Sequence, residues 1–187
     1  MSASAPRGAF RPAPSVSHPA MLVDGDDEQF RHVLFLSRQF ADRLLVFREA
    51  VARKLGLRGN QYVILLAIAH AQCERGATVR EVAHYTLMAA SHVTTQVGAL
   101  IRRGLVAKRP NARDGRSVLL SLTPKGEKAM GAIAPLRQEF NDAFFEGMPR
   151  HSLLRAATFF EQVTANSERG LALLAGQPHT RVKGSEA

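Results

Sequence analysis

Between Thr78 and Pro124 the hydrophobic period changes from about four residues to two and back again, and few architectures accept that order. Thr78 has Glu81 three residues on, the spacing at which a cap hydroxyl and a carboxylate each bond the other residue's backbone N–H. The spacing predicts a short helix over Val79 to about Leu87, with Val82, Ala83 and Leu87 on its inner face. A second helix is predicted from about Ala90 to Arg103, with Val93, Val97, Leu100 and Ile101 on one side and Gly104 placed to end it. Alternation then replaces helical spacing: Leu105 to Arg109 and Ser117 to Leu122 each read as a strand. The turn-prone residues Pro110 to Gly115 lie between them. Thr123 and Pro124 are N-cap and first-turn types, so a third helix follows directly. Two short helices, a tight turn and a β-hairpin make a helix-turn-helix with a wing.

The flanking sequence is helical. Phe30, Val33, Ser37, Phe40, Leu44, Phe47, Val51 and Leu55 form a stripe at three-to-four spacing, with Arg31, Arg38, Arg43 and Arg53 off it. Asp26, Asp27 and Glu28 stand where a helix dipole favours negative charge, and Gly56 ends the helix. Tyr62 to Ala71 is apolar almost all round and reads as a short buried helix. Beyond the hairpin, Ile133, Leu136, Phe140 and Phe144 mark one long helix. Pro149 restarts the chain into a last one with Leu153, Phe160, Val163, Leu171 and Leu174. The expected division is a flexible tail over 1–25, one domain over 26–175 and a second loose tail over 176–187. Within that domain, 26–57 and 124–175 are dimerisation helices and 58–123 is the winged helix-turn-helix. The stripes of the terminal helices are too extensive for one small chain to bury, so a homodimer is expected.

Charge and cysteine content narrow the function. Of 187 residues, 25 are Lys or Arg and 16 are Asp or Glu, and the surplus of +9 favours a polyanionic partner. Ten basic and three acidic residues lie between Arg75 and Lys128, so +7 of that surplus falls on the helix-turn-helix and its hairpin. The single cysteine, Cys73, excludes an intramolecular disulfide framework and suits a reducing cytoplasm. Met1 to Pro19 has Pro and Ser where the apolar part of an export signal would stand. Val82 to Ile101 has the length of a membrane span but carries too many polar residues to be one. No phosphate-binding glycine loop, nucleophile elbow or paired carboxylates mark an enzyme, and the seven histidines offer no pair at zinc-binding helical spacing. Neither a catalytic residue, a metal nor a cofactor is expected.

Val79-Arg80-Glu81-Val82-Ala83, Ser91-His92-Val93-Thr94 and Leu100-Ile101-Arg102-Arg103-Gly104-Leu105-Val106 are similar to the reading helices and first wing strand of the MarR family of winged-helix transcriptional regulators. Asp114-Gly115-Arg116-Ser117 followed by Leu122-Thr123-Pro124-Lys125-Gly126 resembles that family's wing signature, and the resemblance spans about Asp26 to Ala175. It implies a cytoplasmic, homodimeric repressor with intertwined terminal helices, bound to double-stranded DNA at a palindromic operator. It also implies release by a small molecule or by oxidation, and the expected effector is a small aromatic or anionic metabolite. One departure stands out: the recognition helix has no positive charge before Arg102.

The burial of Val93, Val97 and Leu100 turns Ser91 and Thr95 outward, with His92 and Gln96 on the flanks; with Thr94 these are the candidate DNA contacts of the recognition helix. On the wing and its flanks the candidates are Lys108, Arg113, Asp114 and Arg116. Asp114 is placed to orient the Arg116 guanidinium through a fork-shaped pair. His32, Tyr62 and His70 are candidate ligand-cleft residues, with a packed core histidine as the equal alternative. Cys73 reads either as a packed small residue or as a redox switch activated by Arg75. The alternatives to a ligand-responsive repressor are therefore a redox-sensing regulator through Cys73 and a helical adaptor without specific DNA binding.

Overall fold

The computed structural model describes residues 12–72 and 75–176. Cys73 and the expected tail beyond Gly176 lie outside the described residues. The chain divides into two compact units, Met1–Pro135 and Leu136–Ala187.

In the first unit, α1 (Glu28–Lys54) leads through a turn at Gly56 into α2 (Gly59–Ala71). The apolar character of α2 all round has its reason in position: it packs against α1, α3 (Val79–Thr86), α4 (Ala90–Arg102) and β3 (Val118–Leu122). Ile64, Leu65 and Ile68 of α2 are fully buried, with Val51 and Ala52 of α1, Val82 of α3, and Val93 and Leu100 of α4 around them. At ~25 cal/mol per Å2 of apolar surface, each such side chain contributes on the order of 2 kcal/mol.

The hairpin is part of a three-stranded antiparallel sheet, in the order β1 (Ala77–Thr78), β3, β2 (Val106–Pro110). The two-residue β1 carries no periodicity of its own and is held only by pairing, Ala77 with Leu120 and Thr78 with Leu119. The β2–β3 register sets Val106 opposite Leu122 and Pro110 opposite Val118. Pro110 is tolerated because β2 is an edge strand. The Gln72 side chain accepts a 2.8 Å bond from the Leu122 N–H and ties the end of α2 to the sheet.

Two expectations need correction. The single long helix after the wing is two helices, α5 (Pro124–Ala132) and α6 (Ala134–Phe144), broken at Ile133. Pro135 explains the break, because it lacks a donor and disfavours helical geometry in the residue before it. Residues 12–25, assigned by sequence to the tail, carry local structure: Pro19–Met21 is a 3-10 turn, and Val23 bridges Asp26. The Ser15 N–H and hydroxyl both donate to Asp27 Oδ2, at 2.6 and 2.7 Å, and Arg31 pairs with the other oxygen. These bonds give a buried carboxylate its partners, and the Ser15 N–H above all holds the Asp27 carboxyl below the ordinary aspartate range.

The second unit contains most of α6 and α7 (Arg150–Ala175). Phe140 stacks on Phe144 with ring centres 5.0 Å apart, and Phe145 meets Phe144 edge-on. No described helix is long and apolar enough to cross a membrane.

Candidate nucleic-acid interface

The site begins at the start of α3. Thr78 Oγ1 accepts from the Glu81 N–H at 3.1 Å, and Glu81 Oε2 accepts from the Thr78 N–H at 2.7 Å, so the capping box is closed. Glu81 also pairs with Arg75. The Thr78 N–H and the Arg75 guanidinium together lower the Glu81 pKa to about 2. The Arg75 carbonyl accepts a 2.7 Å bond from Arg109 Nη2 on β2, which links the α3 start to the wing.

Leu87 makes the turn into α4 with φ of 53°. Ala89 is the N-cap of α4 and supplies no side-chain cap. Ser91, Thr94 and Thr95 are exposed, whereas His92 and Gln96 are half-buried. Thr94 Oγ1 donates to the Ala90 carbonyl at 2.9 Å, and Thr95 Oγ1 donates to the Ser91 carbonyl at 3.1 Å. With their protons committed to the helix, the two threonines offer outward an acceptor oxygen and a methyl group. His92 Nε2 stands 3.4 Å from Asn60 Nδ2, so the first turn of α2 lies beside the first turn of α4.

In the wing, the tip is built by side chains folding onto the backbone. Asn111 Oδ1 accepts from the Arg113 N–H at 3.1 Å, and Asn111 Nδ2 donates to Ser117 Oγ at 2.8 Å. Asp114 Oδ1 accepts from the backbone N–H of Arg116 at 3.1 Å. That corrects the expected fork: Asp114 braces the turn two residues on, as an Asx turn does, and no ion pair joins it to the Arg116 guanidinium among the described residues. Lys108, Arg113 and Arg116 are all exposed. A groove of about 680 Å3 separates this tip from the helices, and Arg75, Arg80, Asn111 and Arg116 are among its lining residues.

The expected ligand residues are not brought together. Tyr62 is buried in the core, eight residues and so about 12 Å along α2 from His70. His70 is exposed and stacks on Tyr85 with centroids 6.2 Å apart, while His32 is exposed on the first turns of α1. Among the described residues no three His, Cys, Asp or Glu side chains gather as a metal site. Sequence reasoning counted Arg80 in the basic excess without naming it as a site residue, and it did not single out Asn60. Arg80 was legible as an exposed cation in the first turn after a capping Thr, but the nearness of Asn60 to His92 arises only in the folded chain.

A reading helix laid beside a capped helix, with an antiparallel wing rooted at both, is a winged helix-turn-helix. The MarR family model matches residues 55–117. Over 112 residues the chain is 30% identical to the transcriptional activatory protein BadR of Rhodopseudomonas palustris, covering 60% of this chain and 64% of BadR, less than two thirds of that relative. CouR from Rhodococcus jostii, solved with p-coumaroyl-CoA, superposes with a TM-score of 0.60 at 24% identity, over 71% of this chain and 91% of CouR. The MosR regulator of Mycobacterium tuberculosis, solved in complex with DNA, gives 0.55 at 21% identity, over 72% and 96%. Over residues 55–117 the sequence is thus similar to the MarR family, and the fold is that of MarR-type winged-helix structures.

Proposed function

We propose that the chain is a sequence-specific DNA-binding transcription regulator that acts as a homodimer on a palindromic operator. The observation that carries this reading is the groove between wing and helices, where Arg80 and Arg116 stand near Ala90, the first residue of an exposed reading helix whose outward groups are small and polar. Cations of this kind neutralise phosphates and supply affinity, and the helix supplies discrimination in the major groove. The MosR structure solved with DNA supports the reading as a relative of the same fold.

The regulator responds to a small aromatic or anionic ligand and releases its operator on binding it. CouR, solved with the aromatic and anionic p-coumaroyl-CoA, supports that chemistry. Activation is a second reading, favoured by the name of the BadR relative. Titration of labelled DNA from the gene's own upstream region, against scrambled DNA of equal length, tests the binding. Preferential, saturable binding of the upstream DNA is expected, and equal affinity for both would leave only a nonspecific binder. A reporter fused to that region then gives the sign of regulation.

A further inference from the structure

Three guanidinium groups converge on a cavity along the flank of α4 that faces the α1–α2 turn. Its volume is about 360 Å3, and it is lined by Gly56, Arg58, Gln61, Ala99, Arg102 and Arg103. It shares no residue with the wing groove.

Each arginine has a structural reason to be there. Arg103 Nη1 donates to the Gly56 carbonyl, and the Arg103 carbonyl accepts a 2.8 Å bond from Lys125 Nζ, so this side chain is a fixed wall that brings a further cation near. A Cβ on Gly98 would come within 3.6 Å of Arg102 Nη1, so Arg102 lies back along a stretch of helix that Gly98 and Ala99 keep low. Arg58 stands immediately before the first turn of α2, its N–H donating to Gln61 Oε1 at 3.1 Å. The Gly59 N–H at that turn donates to Glu49 Oε2 at 3.2 Å, so the helix end is already capped and the pull on an anion comes from the guanidinium groups themselves. Among the described residues none of the three guanidinium groups pairs with a carboxylate. Clustered cations repel one another, and an anion in their midst relieves the repulsion. Planar guanidinium donors match phosphate oxygens in particular.

We propose that this cavity is a phosphate-binding site that holds one phosphate group between Arg58 and Arg102, against Arg103. Two sources carry that chemistry. One is a backbone phosphate of DNA, since Asn60 places the α2 start beside the reading helix; this source rests on the function proposed above. The other is a soluble phosphate-bearing ligand, which does not.

The test uses the full chain and pyrophosphate as probe, titrated calorimetrically at low salt. The proteins are wild type, a double variant with Arg58→Gln and Arg102→Gln, and a control with Arg38→Gln, which removes an exposed α1 cation. Wild type and control are expected to bind pyrophosphate alike, and the double variant on the order of tenfold more weakly at an unchanged melting temperature. A second variant pair, Arg58→Lys with Arg102→Lys, keeps the charge and loses the fork, and is expected to fall between them. The same proteins are then titrated with DNA across salt concentrations. A log-log slope lowered by about one unit for each phosphate no longer neutralised assigns the phosphate to DNA, and an unchanged slope assigns it to a soluble ligand. Pyrophosphate binding abolished in the double variant while wild type binds no DNA keeps the site and removes the DNA reading. Equal pyrophosphate binding by wild type and double variant, or none by wild type, overturns the proposal.

Discussion

Leu87 is 70% exposed and stands in the left-handed region at the turn between α3 and α4. That conformation costs a non-glycine residue roughly 1–2 kcal/mol, and a side chain mostly in water recovers little of it. Leu87→Gly should therefore raise stability, by about 0.5–1 kcal/mol once the greater freedom of glycine in the unfolded chain is counted. Urea unfolding with an unchanged slope and a higher midpoint is the expected result; a lower midpoint would show that Leu87 packs to advantage. Glu81 makes a second prediction, in pH. Its folded pKa is about 2 against an ordinary value of 4.5, so the stabilisation from its ionised form is complete above about pH 4.5 and disappears as pH falls towards 2. Glu81→Gln keeps an acceptor for the Thr78 N–H but carries no charge. The stability gap between wild type and this variant should close across that interval, and a gap constant from pH 5 to 2 would show that the ionised carboxylate adds nothing over the amide.

At the level of elements, what could be read in advance was what local chemistry controls. The α3 start was legible because Thr78 and Glu81 satisfy each other's backbone, and the α5 start because Thr123 Oγ1 accepts from the Gly126 N–H. Pro135 was equally visible, yet the continuous stripe from Ile133 to Phe144 masks the break it makes. β1 was illegible, since two residues show no period and only pairing with β3 defines them. The recognition-helix residues fall on the expected faces because Val93, Val97 and Leu100 are buried as the spacing required. The wing chemistry was misjudged because two residues of separation fit both a side-chain fork and an Asx turn, and the backbone N–H was the nearer donor. That correction alters what is expected of the wing. Asp114 keeps its bond when the Arg116 side chain is removed, so Arg113→Ala and Arg116→Ala should weaken operator and scrambled DNA by similar factors. Each should lower the salt slope by about one unit for every phosphate it ceases to neutralise. Thr95→Ala should penalise the operator alone, on the order of 1–3 kcal/mol for each base edge it no longer reads. Titrations of both DNAs at several salt concentrations measure these effects together. If the wing changes altered only operator preference while Thr95→Ala weakened both DNAs equally, the division of labour would be reversed.

For the whole molecule, the apolar surface is the governing quantity. On α1, Val33, Leu34, Phe35, Leu36, Leu45 and Val46 are exposed; on α7, so are Leu153, Leu154, Phe159, Phe160, Val163, Leu171, Leu173 and Leu174. Isolated apolar residues on a surface need no explanation, but runs of this length on two long helices exceed what a stable monomer presents to water. In the homodimer proposed above, a second copy of the chain would supply the same surface, related by a two-fold axis, and so match like with like. Equilibrium sedimentation should then give twice the 20.4 kDa chain mass at micromolar concentration. Leu153→Glu combined with Phe160→Glu, seven residues apart, places two charges on one face of α7, where burial would cost each its hydration. Sedimentation should show that variant as a monomer, and circular dichroism should retain most of the wild-type helix signal. The reading helix and wing lie in the other unit and are untouched, so nonspecific DNA affinity per chain should change little. Binding to an operator with two half-sites should fall steeply, because the second half-site no longer engages at the high effective concentration that dimerisation provides. A variant that sediments as a monomer yet binds the full operator as tightly as wild type would separate dimerisation from recognition and end the palindromic reading.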